Sequence, residues 1–167
     1  AEFSPERGTL EDDLWFLSER FEETIKDHPS LVKDQRTNQY VKKVFCKIEP
    51  NYCDKIRIYI ARIPAFNAFM TANGMMVIQT GALIVLENEA QLASLLGHEF
   101  GHYFNLSHTW GWGENGDTDN CFADDDVSDT PNTIGAYSTC NLSQETCNSL
   151  DNTQNFMDYS SCTCMFT

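Results

Sequence analysis

One segment constrains this chain more than any other: N-E-A-Q-L-A-S-L-L-G-H-E-F-G-H-Y-F, residues 88–104. Leu92, Leu95, Leu96, Phe100 and Phe104 make it apolar nearly all round, so it reads as one helix that belongs inside a fold. Asn88 is the expected cap, with Gln91 three residues on in the capping-box position. The same helix carries His98, Glu99 and His102. Burying two histidines and a glutamate without partners is costly. At i and i+4, however, His98 and His102 share one face, and two imidazoles there can grip one metal ion, which removes that cost. Gly97 and Gly101 repeat the same spacing and leave a small face for a close neighbour.

A catalytic zinc takes three protein ligands and keeps one position open. Asn105 follows the helix, and asparagine is the best residue after glycine for a left-handed cap. The chain then turns back, and His108 arrives six residues after His102. The string H-E-F-G-H-Y-F-N-L-S-H thus offers three zinc ligands, His98, His102 and His108, with Glu99 as general base beside the first. Three of the four histidines lie in it. The fourth, His28, closes an earlier helix and is expected at the surface.

Upstream, Leu10, Leu14, Leu17, Phe21 and Ile25 form a helical stripe, with Thr9 as its cap. Val41, Val44, Phe45 and Ile48 mark a second helix. K-I-R-I-Y-I-A-R alternates, with Ile56, Ile58 and Ile60 on one face of a half-buried strand. Asn73-Gly74 predicts a hairpin turn, since both residues can take positive φ, flanked by strands, the second ending at Gly81. After Trp110, Gly, Asp, Asn, Ser, Thr and Cys dominate and periodicity vanishes. This region is expected to be irregular and held by ligands and crosslinks.

The net charge of -14 argues against nucleic acid and anionic membranes as partners. No apolar run approaches the length of a membrane span. The opening A-E-F-S-P-E-R-G has neither a basic n-region nor an apolar h-region, so no signal peptide is expected in it. Five of the seven cysteines crowd the last third, which reads as a disulfide-stapled tail made for an oxidising, extracellular compartment. Cys46 and Cys53 bracket a turn-rich link, where a local disulfide is expected.

The zinc string resembles the long motif of the metzincins. H-T-W after His108, D-D-D-V-S-D-T-P-N-T from Asp124 to Thr133, and the closing N-F-M-D-Y-S-S-C-T-C-M-F-T resemble the pappalysin family over roughly the last 70 residues. That resemblance implies a methionine turn at Met157 beneath the metal and a metal-facing tyrosine at Tyr159. It also implies the disulfides Cys121–Cys147 and Cys140–Cys164, with Cys162 left over. It further implies calcium held by Asp124, Asp125, Asp129 and Thr130, oxygen donors of the kind calcium takes. Asn105 departs from the metzincin pattern, which has glycine there. The stretch N-A-F-M-T-A-N-G-M-M-V-I-Q-T-G-A-L, with the helix after it, resembles instead the minigluzincins and CAAX-type proteases. Those take a downstream glutamate as third ligand. Glu114 and Glu145 are the only glutamates after the helix, and neither sits in the E-x-x-x-D pattern that would supply it.

Together these resemblances imply an α+β, zincin-like fold forming one catalytic domain. Residues 1–104 would form an upper subdomain with a small mixed sheet and the active-site helix. Residues 105–167 would form an irregular, disulfide-stapled lower one. The implied activity is that of a secreted, monomeric zinc endopeptidase. Glu99 would be its base and Tyr159 its oxyanion donor, and an extended peptide would pair with the strand from Met75 to Thr80, expected at a sheet edge. The competing reading is a catalytically weak or inactive secreted binding module with a structural zinc.

Overall fold

The computed structural model describes residues 5–135 and 139–165, so the opening A-E-F-S and the closing Phe166 and Thr167 of the tail motif lie outside it. The chain is mixed α and β with small sheets and forms two compact units, Ala1–Leu92 and Ala93–Thr167. The division falls within the helix of residues 89–103.

The first unit begins with α1 (Leu10–Lys26), capped by Thr9, whose hydroxyl accepts from the Asp12 amide. Its one buried residue is Glu22, while Leu10, Leu14, Leu17 and Phe21 of the apolar stripe are exposed. Helix α2 (Gln35–Ile48) is capped by the Asp34 carboxylate and buries Val41, Val44 and Phe45. Strands β1 (Arg57–Ala61), β2 (Ala68–Met70) and β3 (Met75–Gln79) form a sheet ordered β1-β3-β2. The β1–β3 pair is parallel and the β2–β3 pair antiparallel. Met75 and Val77 pack on one face with Ala61, Tyr59, Phe69 and Ile25 of α1. Met76 and Ile78, pointing to the other face, are also fully buried. A disulfide joins Cys46 to Cys53.

The expectation for the Met75 strand fails here. The strand from Met75 is central, not an edge: both its sides are hydrogen-bonded, so no substrate strand can add to it. It ends at Gln79, and Thr80 and Gly81 already belong to a short helix, α3 (Thr80–Val85). The Asn73-Gly74 turn joins β2 and β3 as the expected hairpin. Only Gly74 has positive φ, and the Asn73 side chain folds inward, accepting from Thr71 and from the Met75 amide and donating to Glu22. A buried carboxylate recruited that asparagine, which local turn statistics could not register.

Helix α4 (Glu89–Tyr103) begins at Asn88, whose side chain accepts from the Gln91 amide, while Gln91 accepts from the Glu87 amide. It ends in a Schellman motif: Leu106 N–H donates to Gly101 O and Asn105 N–H to His102 O, with Asn105 at φ 61°. The second unit continues largely without regular structure. It contains one 3-10 turn at Thr118–Phe122 and a two-residue ladder, β4 (Glu145–Thr146) with β5 (Ser149–Leu150). The Cys121–Cys147 disulfide holds this region. Its interior is polar: Thr133, Asp151, Thr153, Asn155 and Asp158 are all buried, in a network of side-chain-to-backbone bonds.

Candidate metal centre

Helix α4 presents His98 and His102 one turn apart, and the Schellman reversal returns the chain so that His108 meets them. The three rings stand 4.8–5.1 Å apart between centroids. One ligand nitrogen from each lies within 4.8 Å of the other two, and among the described residues this is the only group of three or more such side chains so gathered.

The hydrogen bonds decide which nitrogens face inward. His98 Nδ1 lies 2.8 Å from Phe156 O, and His102 Nδ1 lies 2.9 Å from Leu106 O. A carbonyl only accepts, so both Nδ1 atoms carry the proton and both Nε2 atoms hold lone pairs. Those Nε2 atoms face each other at 3.2 Å. His108 Nε2 is buried with no hydrogen-bond partner. Three inward lone pairs repel one another until a cation sits among them, so the donor set fits a zinc ion. Burial lowers His98 to about 3, with the charges of His102 and His108 adding to the effect against the Phe156 bond. Burial likewise lowers His108 to about 4. Both are therefore neutral, the form a metal needs.

Glu99 is 7% exposed, and burial pushes its carboxyl up to about 7. A carboxyl balanced at that value exchanges its proton readily near neutral pH. Tyr159 is half-exposed, its ring 5.2 Å from that of His98 and 5.1 Å from that of His108. Burial and the Glu99 charge keep its phenol protonated by raising its pKa.

Met157 is buried at 3% exposure, and its carbonyl accepts from the Thr109 amide at 3.2 Å. Thr109 also donates its hydroxyl to Asp158 at 3.0 Å. Burial pushes the Asp158 carboxyl up to about 6, against the lowering effect of its bonds from the Ser160 amide and Thr109. Thr109, the residue after His108, is thus bonded directly to Met157 and Asp158. Gly97 permits the approach from the helix side: a Cβ there would stand 2.8 Å from the Phe156 ring.

Other expected site residues fall elsewhere. Asp125 and Thr130 are buried, with Asp125 accepting from the Val127 amide and hydrogen-bonded to Thr130 and Asp124, while Asp124 and Asp129 are exposed. The Cys140–Cys164 bond implied by the resemblance is absent, and this expectation is corrected. Cys140, Cys162 and Cys164 are free, with Cys140 hydrogen-bonded to Cys162 and Cys164 accepting from Gln154.

Sequence reasoning passed over Trp110, whose indole stacks on His108 at 4.4 Å and 10°. The visible signal was an aromatic two residues after the third ligand. It also passed over the carbonyls of Phe156 and Leu106, which no residue type encodes.

Three converging histidines with a buried carboxyl one residue after the first define a site of the metallopeptidase class. The chain belongs to the M43 peptidase family, the family of pregnancy-associated plasma protein-A, which it matches over residues 60–167. The match thus includes the strands that resemble minigluzincins. Over 70 residues, 40% of this chain, it is 43% identical to an extracellular metalloprotease of Neurospora crassa, and that stretch is 22% of the fungal protein. Similar stretches are 41% identical to an extracellular metalloprotease of Podospora anserina, again over 22% of its length, and 40% identical to one of Pyricularia oryzae, over 23%. The aligned stretch spans about a fifth of these relatives' own length. No helix among the described residues is long and apolar enough to cross a membrane.

Proposed function

We propose that this chain is an extracellular zinc endopeptidase of the metzincin type, with zinc on His98, His102 and His108 and Glu99 as its general base. One observation carries the reading: three imidazoles whose ligand nitrogens lie within 4.8 Å of one another, beside a buried carboxyl raised to about 7. A closed structural zinc would need a fourth protein ligand. Among the described residues no Cys, Asp or Glu joins the three histidines, which favours the catalytic arrangement over a binding module. The names of the fungal relatives and the two disulfides support a secreted setting.

Zinc, when bound, supplies Lewis acidity to polarise the scissile carbonyl and acidify the attacking water. Glu99 takes the proton of that water and hands it to the leaving amine. The Tyr159 phenol, kept protonated, donates to the oxygen that gains charge. Met157, in the role of the methionine turn, holds the floor beneath the ligands through its bond from Thr109 and touches no substrate. The substrate is a peptide.

The test is Glu99→Ala with a peptide library and a zinc assay. Zinc stays bound and cleavage is lost. Cleavage that persists in this variant, or in wild type stripped by a chelator, sinks the assignment.

A further inference from the structure

The two helix ligands are oriented by carbonyls at their Nδ1 atoms. His108, on a turn outside any helix, is faced by a flat ring instead. The Trp110 indole lies parallel to the imidazole at 4.4 Å and 10°, an offset-stack geometry that restrains rotation of the smaller ring. Trp110 is itself held on all sides. It is 3% exposed, and its Nε1–H donates to Gly113 O at 3.1 Å. The turn beneath it is closed by the Gly111 amide donating to His108 O at 2.8 Å, with Gly111 at φ 74°. Gly135 lies against the indole so closely that a Cβ there would come within 2.8 Å of it. Tyr159 stands edge-on to both rings, 5.1 Å from His108 and 4.8 Å from Trp110.

We infer that Trp110 is a positioning residue for the third zinc ligand: its locked indole sets the plane of His108 so that Nε2 meets the nitrogens of His98 and His102. The same packing ties the metal site to Tyr159, because Tyr159 leans on both rings. The inference rests on the zinc reading above. Trp110 touches neither metal nor substrate, and its effect passes entirely through the His108 ring.

The test compares Trp110→Phe with Trp110→Leu in the whole chain. Zinc affinity is measured by chelator competition, ligand geometry by the visible spectrum of the Co2+-loaded protein, and folding by the thermal midpoint of the metal-free protein. Phenylalanine keeps a flat face and should hold zinc affinity within about 3-fold, whereas leucine keeps burial without the stack and should weaken it about 10-fold or more, with an altered cobalt spectrum. A leucine variant with lowered thermal midpoint but wild-type zinc affinity and spectrum overturns the inference. If leucine prevents folding, a Trp15→Phe/Trp112→Phe double variant leaves Trp110 as the only indole. One equivalent of Co2+ should then quench most of the fluorescence, and an unquenched indole overturns the placement. Wild type that binds no zinc sinks the proposed function as well. Wild type that binds zinc, with a leucine variant that binds it equally well, sinks this inference alone.

Discussion

His98 and His102 turn their Nε2 atoms toward each other at 3.2 Å while their Nδ1 atoms are spent on the carbonyls of Phe156 and Leu106. Neither ring can rotate to relieve the lone-pair opposition without breaking a hydrogen bond. The site is therefore preorganised for a cation, and the metal-free protein carries the cost of that arrangement.

Glu99 shares that cost in a pH-dependent way. Its pKa in the fold, about 7, lies above the ordinary glutamate value of 4.5, so the folded state favours the protonated form. Its contribution to stability is full below about 4.5 and is lost as pH rises through 7. In Glu99→Gln no charge is buried. The metal-free variant should therefore be more stable than metal-free wild type at pH 8, by on the order of 2 kcal/mol, and equal to it near pH 4. Thermal melts at the two pH values, with chelator present, check this; equal midpoints at pH 8 would refute it.

In the first unit Glu22 behaves in the opposite sense. Burial alone would raise its carboxyl, but hydrogen bonds from Arg57 and Tyr59 and the charges of Arg57 and Lys26 outweigh it and hold the pKa at about 2. The Arg57 contact is bidentate, 2.6 Å to each oxygen, and Asn73 adds a third side-chain donor at 2.8 Å. A depressed carboxylate stabilises above its unfolded pKa of about 4.5, and that contribution is lost as pH falls toward 2. Glu22→Ala should cost about 3 kcal/mol at pH 7, since it removes the buried carboxylate to which Arg57, Tyr59 and Asn73 all donate. The deficit should shrink in urea melts at pH 3.

Gly97→Ala should destabilise by about 1–3 kcal/mol, because the new methyl overlaps the Phe156 ring. Phe156→Leu in the same chain should recover part of the loss. Additive losses in the double variant would argue against the contact.

Asn105 holds a left-handed backbone at φ 61°. Asn105→Gly removes that strain and should stabilise by a few tenths of a kcal/mol, while Asn105→Ala should cost about 1 kcal/mol. Zinc affinity should follow the same order, since this residue sets where the chain turns toward His108. A denaturation series with chelator competition measures both.

The two disulfides close loops of different span, 26 residues for Cys121–Cys147 and 7 for Cys46–Cys53. Loop-closure entropy gives the longer bridge the larger effect, about 3.5 against about 2.4 kcal/mol. Paired Cys→Ser variants in denaturant should rank in that order.

The helices were legible because their signals are local. Thr9 and Asn88 cap where their side chains suggest, and the histidine spacing of α4 is a helical repeat. Errors arose where distant residues intervened. The α1 stripe reads as a core face, yet the residue buried there is Glu22, drawn in by Arg57 from β1. Nothing within α1 encodes that partner. The Met75 strand carries the same apolar pattern whether central or edge, and only its pairing with β1 and β2 separates the two.

By itself the sequence determined the chemistry of the centre: three histidines, a neighbouring glutamate, and an asparagine able to reverse the chain. Ligand identity is a property of residue type and spacing, so it can be read along the chain. Only the tertiary structure decided which nitrogen of His98 and His102 turns toward the other ring, that Trp110 lies flat on His108, and that Cys140 and Cys164 stay apart. Each of those depends on an atom brought in from far along the chain, often a backbone carbonyl that every residue carries. Position in space, which residue identity does not record, is what gives such atoms their role.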